Sequence, residues 1–133
     1  MKKKPLISVI IPFYNAKKYL EESINSVKNQ NFKYPIEIVL IDDGSSDGSS
    51  DIVKKTNYTN FTLIINKRNL GPANARNLGI KKSKGQFIIR VDADDFVNAD
   101  MCYFLMKYLE SNNDAFCVSS DYLLVDDLSL IHI

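Results

Sequence analysis

Apolar and polar residues are distributed along this chain in short blocks that change period. Leu6-Ile7-Ser8-Val9-Ile10-Ile11 is an almost unbroken apolar run, as expected of a strand buried on both faces of a parallel sheet. Pro12 is expected to stop it, with Phe13-Tyr14-Asn15 forming the loop. Ala16, Leu20, Ile24 and Val27 then recur at helical spacing, which predicts a helix from about Ala16 to Gln30 with Asn15 as its N-cap. Ile36 to Ile41 reads as a second strand, running into the polar, glycine-rich loop Asp42-Asp43-Gly44-Ser45-Ser46-Asp47-Gly48. A modest helix over Ser49–Thr56 precedes a third strand, Phe61–Ile65. Gly71-Pro72 opens a helix that ends near Lys82.

The fourth strand, Phe87 to Val91, ends abruptly in Asp92-Ala93-Asp94-Asp95. Met101, Phe104, Leu105, Tyr108 and Leu109 fall at the spacing of an amphipathic helix. Ala115–Ser119 is expected to be a fifth strand, and Tyr122–Val125 another short one. Strands alternating with helices imply right-handed crossovers and a doubly wound, mainly parallel α/β sheet in one domain spanning 1–133. In that arrangement Pro12–Asn15, Asp42–Gly48, Asn66–Gly71 and Asp92–Asp95 share one sheet edge.

Bulk composition excludes several classes. With 45% hydrophobic and 25% charged residues the 133-residue chain is globular, and its net charge of +1 gives no case for nucleic acid. Leu6 to Phe13 is too short for a membrane span and contains Ser8 and Pro12. Cys102 and Cys117 form no C-x-x-C pair and read as two buried thiols in a reducing cytoplasm. The single histidine, His132, argues against a zinc site or a histidine-based triad.

The strand-end loops carry the chemistry. Asp92, Asp94 and Asp95 repel one another unless a cation lies between them, which suits Mg²⁺ or Mn²⁺; otherwise Asp95 or Asn98 caps the helix beginning near Ala99. Asp42 and Asp43 either accept hydrogen bonds from a nucleotide or hold the Gly44 turn. Tyr14 either stacks on a base or packs over the sheet edge. Arg76 and Lys67-Arg68 either meet phosphates or are solvated surface charges. No G-x-G-x-x-G follows the first strand and no G-x-x-x-x-G-K-[ST] occurs, so neither NAD nor a P-loop nucleotide is expected.

Four segments together resemble the N-terminal half of family 2 glycosyltransferases, an inverting group with the GT-A, Rossmann-like fold. They are Val9–Asn15, Ile38–Asp47, Asn69–Asn77 and Val91–Asp95, in the right order and spacing. The resemblance implies a nucleoside-diphosphate-sugar donor, UDP-linked by preference, and a saccharide or lipid-linked acceptor in cell-surface polysaccharide or glycoconjugate synthesis. It implies that Pro12 and Tyr14 line the base pocket, that Asp43, supported by Asp42, takes the ring N–H, and that Arg76 and Asp92 also serve the nucleotide. Asp94 with Asp95 would hold a Mn²⁺ or Mg²⁺ ion bridging the diphosphate. It further implies a cytoplasmic protein, with peripheral association at the inner membrane face as an extension.

The family's general base and acceptor site lie well beyond the Asp-x-Asp. The resemblance therefore implies a donor-binding half, truncated at the C-terminus, with the base beyond Ile133; Asp121, Asp126 and Asp127 fall too early. A phosphatase of the haloacid dehalogenase type and a receiver domain both place their acidic motif after strand one, unlike this chain. A non-catalytic nucleotide-sugar-binding module is the alternative of another class.

Overall fold

The computed structural model describes residues 3–121 together with the backbone of 124–125 and 131–132. Its elements follow in the order β1 (Ile7–Phe13), α1 (Leu20–Lys28), β2 (Ile36–Asp42), α2 (Ser49–Lys54), β3 (Phe61–Ile65), α3 (Pro72–Lys82), β4 (Phe87–Arg90), α4 (Met101–Ser111), β5 (Leu124–Val125) and β6 (Ile131–His132). The first four strands form one parallel sheet in the order β3-β2-β1-β4, and β5 pairs with β6 in an antiparallel ladder.

Alternation along the strands divides the core between the two sheet faces. Ile7, Val9, Ile11 and Phe13 join Ile36, Ile38 and Leu40 in one buried cluster with Leu20, Ile24 and Val27 of α1, Val53 of α2, and Cys102 and Met106 of α4. On the opposite face Ile10, Val39 and Ile41 pack with Ala75 of α3, flanked by Ile64 and Leu78. Each fully buried aliphatic side chain stabilises the fold by about 1.5–3 kcal/mol. With helices on both faces, the sheet is doubly wound, as the periodicity predicts.

Several expectations are corrected. β1 runs through Pro12, which pairs with Ile41. Ile10 C=O receives the Val91 N–H from the β4 side, whereas Phe13 C=O receives Asp43 N–H from the β2 side. Pro12 therefore turns its nitrogen toward the β4 side beyond the last β4 pair, Ile10↔Arg90, where no ladder bond is lost. The first helix starts at Leu20 rather than Ala16, with Tyr19 at the N-cap, because Asn15 is occupied elsewhere. Neither Asp95 nor Asn98 is the N-cap of α4; Asp100 is, and Asn98 instead accepts the Asp100 N–H at 2.9 Å. Residues 115–119 form no strand, Phe116 is fully exposed and Cys117, unlike the buried Cys102, is exposed rather than buried: an apolar run without a neighbouring strand has nothing to pair with. Of the expected strand Tyr122–Val125, Leu124–Val125 is β5, and Tyr122 and Leu123 lie outside the described residues.

At the strand-start end, the buried Glu37 accepts Ser8 Oγ–H at 2.5 Å and Lys84 N–H at 2.6 Å, while Gly85 N–H donates to Ser8 Oγ at 2.8 Å. A buried carboxylate needs such partners. Here they fasten the turn that launches β4.

Candidate sugar-nucleotide site

The order β3-β2-β1-β4 creates a switch point between β1 and β4, because the chain moves outward from β1 in opposite directions. Crevices beyond the carboxyl ends of strands at such a point are where open α/β sheets bind ligands. Two loops singled out by sequence flank it: Pro12–Asn15 leaves β1, and Asp92–Asp95 follows β4.

The loop after β2 is the hub of this edge. Asp42 is buried and its Oδ1 accepts Ser45 N–H at 2.7 Å, so its side chain holds the turn. Asp43, also buried, accepts Asn66 Nδ2–H at 2.9 Å and Leu70 N–H at 3.0 Å on Oδ1, and Gly71 N–H at 2.9 Å on Oδ2. These contacts take up much of the acceptor capacity that Asp43 would bring to a base. Its two oxygens offer about four lone-pair sites, and three are engaged in holding the loop that enters α3. Gly44, at φ +85°, permits the close approach of that loop: a Cβ there would lie 2.8 Å from the Arg68 carbonyl carbon.

The same hub captures the loop after β1. Three successive amides donate into it: Asn15 N–H to Ser45 Oγ at 2.9 Å, Ala16 N–H to Ser49 Oγ at 3.0 Å and Lys17 N–H to Asp47 Oδ2 at 3.1 Å. Asn15 adopts φ +49° and returns its Oδ1 to Ser46 N–H at 2.9 Å. This explains why Asn15 caps no helix. Asp47 in turn accepts Ser49 N–H at 2.9 Å and the Ser49 hydroxyl. Chiefly through that hydroxyl, and despite some desolvation, its carboxyl is held below the usual carboxylate range. Sequence alone placed Asn15 and the Asp42–Gly48 loop at this edge but not the bonds between them. The signal was present in Ser45-Ser46-Asp47-Gly48-Ser49, a run of short side chains suited to bonding nearby backbone.

Tyr14, between Phe13 and the fixed Asn15, is half exposed. Arg76, in the second turn of α3, is partly buried, and its Nε–H is buried without an acceptor. A buried cationic N–H left unpaired is costly, so this edge suits an anion or carbonyl oxygen.

After β4, Arg90 Nε approaches Asp92 Oδ1 at 3.5 Å, and Asp95 N–H closes a turn on Asp92 C=O at 3.0 Å. Asp94 and Asp95 are exposed, and among the described residues neither carboxylate has a hydrogen-bond or ion-pair partner. Burial, then the Asp94 and Asp92 charges, push the Asp95 carboxyl up, against a smaller pull from Arg90. Among the described residues no three Asp, Glu, His or Cys side chains converge as a ready-made metal cluster. Two repelling carboxylates nevertheless fit a magnesium-like ion that takes one or two protein carboxylates and completes its shell with phosphate oxygens and water.

The model of glycosyl transferase family 2 matches residues 8–129. An uncharacterised glycosyltransferase of Haemophilus influenzae is 39% identical over 122 residues, covering 85% of this chain and 48% of that protein. Staphylococcus aureus TarS 1-349, solved in complex with UDP-GlcNAc, superposes with a TM-score of 0.74 at 34% identity, over 80% of this chain and 32% of that one. The mannosyltransferase PcManGT of Pyrobaculum calidifontis, solved with GDP-Man and Mn²⁺, gives 0.72 at 27% identity, over 80% of this chain and 33% of that one. The chain thus spans less than half the length of these relatives. With a GT-A sheet, its switch-point loops and a family match over most of its length, the chain belongs to glycosyl transferase family 2.

Proposed function

We propose that these residues bind the nucleoside-diphosphate-sugar donor of an inverting glycosyltransferase, at the β1/β4 switch point. One observation carries the reading. The loop carboxylates Asp42, Asp43 and Asp47 are engaged internally, while Asp94 and Asp95, exposed beside the crevice, have no partner among the described residues. Tyr14 and Pro12 form the wall for the base, and Arg76 supplies an N–H to the nucleotide. Asp92, oriented by Arg90, keeps the turn that presents Asp94 and Asp95. Asp43 serves the base mainly from beneath, by fixing the Asn66–Gly71 loop, with one lone-pair site left for a ring N–H.

Asp94 with Asp95 would hold Mn²⁺ or Mg²⁺. Bound there, such an ion supplies Lewis-acid stabilisation of the diphosphate leaving group. UDP is the nucleotide favoured by the TarS comparison, while GDP-Man in PcManGT marks the other option. The acceptor is a saccharide chain, free or lipid-linked, in cell-surface glycan synthesis; TarS is named for poly(ribitol-phosphate). Among the described residues no helix is long and apolar enough to cross a membrane. Calorimetric titration with UDP and GDP, with and without Mn²⁺, tests the reading. Binding of one nucleotide that requires the cation is expected; no binding of either with Mn²⁺ or Mg²⁺ present would refute it.

A further inference from the structure

The two ends of the sheet differ in their basic residues. Arg68 follows β3, Arg76 lies early in α3 and Arg90 closes β4, so all the arginines lie on or near the crevice side, together with Lys17, Lys18 and Lys67. The opposite edge, where parallel strands begin and the helices between them end, is furnished with lysine alone. Lys3 and Lys4 precede β1; Lys28 and Lys33 lie between the end of α1 and β2; Lys54 and Lys55 end α2; Lys81, Lys82 and Lys84 lie between the end of α3 and β4. The register brings these starts together, since Ile7 pairs with both Ile36 and Phe87, and Ile38 pairs with Phe61.

All of these lysines except Lys28 are exposed. Of these lysines, only Lys54 is ion-paired among the described residues, with Asp51 at 3.9 Å. Nearby acids do little to neutralise the edge. Glu37 is buried under Ser8 and Lys84 N–H, and the partly buried Asp100 accepts Asn31 Nδ2–H at 3.1 Å. The exposed Tyr34 lies there too, with Lys33 Nζ over its ring at 5.0 Å. Lysines at helix C-termini complement the helix dipoles. That does not account for Lys3, Lys4, Lys33 and Lys84, which lie outside the helices.

We infer that this lysine edge seats the protein on an anionic phospholipid surface. The residue type selects the partner. Bidentate recognition of individual phosphates favours arginine's rigid fork, whereas flexible ammonium heads spread along an edge suit the diffuse negative potential of a bilayer. Tyr34 is the kind of residue that rests at headgroup level. Seven-residue strands place the crevice roughly 20–25 Å above such a surface. The protein would then reach acceptor groups standing off the membrane. The inference rests on charge placement and stands apart from the sugar-nucleotide reading.

The test is sedimentation with phosphatidylcholine vesicles, with and without 30% phosphatidylglycerol as a roughly physiological anionic share. Wild type and a Lys81→Glu/Lys82→Glu/Lys84→Glu variant are compared, with circular dichroism and UDP affinity as checks on folding. Expected are partition onto the anionic vesicles only, release at high salt, and at least about a tenfold loss in the variant. A second variant, Lys54→Gln/Lys55→Gln, guards against misfolding of the first and should show a smaller loss. Absence of partition, partition equal for all three proteins, or equally tight lysine-dependent binding of duplex DNA would overturn the inference. UDP binding can fail while vesicle binding persists, so the two readings are separable.

Discussion

Asp43 and Gly71, 28 residues apart in sequence, meet through a 2.9 Å hydrogen bond from the Gly71 amide to Asp43 Oδ2. That contact joins the end of β2 to the start of α3, the helix that carries Arg76. Loop geometry at the crevice therefore depends on a carboxylate that is itself buried.

Asp43→Ala removes an acceptor from two backbone amides and from the Asn66 side chain. Hydrogen bonds to a charged group are worth about 1.5–3 kcal/mol each and add imperfectly, so a loss on the order of 3 kcal/mol in stability is expected. Affinity for UDP and for pyrophosphate should fall together, because the loop shifts under both. Urea unfolding and calorimetry check this; a loss confined to UDP would assign Asp43 to direct base contact.

Asp94→Ala should abolish the dependence of UDP affinity on Mn²⁺. With Mn²⁺ present, the loss should be about tenfold to a hundredfold, the scale of one charge-assisted contact. Uridine, which has no diphosphate, should bind wild type and variant alike. Unchanged Mn²⁺ dependence in Asp94→Ala and Asp95→Ala would remove both residues from the cation site.

Asp47 gives the loops a pH dependence of definite sign. Its folded-state carboxyl lies below the ordinary value of 3.8, mainly through the Ser49 hydroxyl. Its contribution is thus complete above about pH 4 and is lost as pH falls through the depressed value. Asp47→Asn should be less stable than wild type at neutral pH, with the difference shrinking below the ordinary carboxylate pKa. Urea midpoints from pH 3 to 7 read this directly, and a constant difference would contradict it.

Two glycine substitutions should separate site from core. Gly44→Ala forces a side chain into a left-handed backbone and against the Arg68 backbone, so UDP affinity and stability should both fall. At Gly79 the added Cβ would lie 2.6 Å from Ile10 Cγ2 and 2.8 Å from Ile41 Cδ1. Overpacking of that kind costs about 1–3 kcal/mol, so Gly79→Ala should unfold earlier yet keep its UDP affinity once folded. Thermal melts with parallel titrations distinguish the two.

Local pattern was sufficient for β1 to β4, for α3 and α4 within a few residues, and for the acidic end of β4. Each depends on hydrophobic period and nearby turn residues, which the chain carries in itself. The family resemblance likewise rested on contiguous segments. Tertiary structure alone decided what Asn15 and Asp43 do, and that Asp47 also takes the Lys17 amide, because those partners lie about thirty residues away and compete with local capping. It also decided that Ala115–Ser119 is no strand, since an apolar run becomes one only beside a partner ladder. Asp94 and Asp95 were visible as a pair of carboxylates in sequence. Only the engagement of the other loop carboxylates by their neighbours marked them, among the described residues, as the two left free, because satisfaction of a polar group is a property of its neighbours in space.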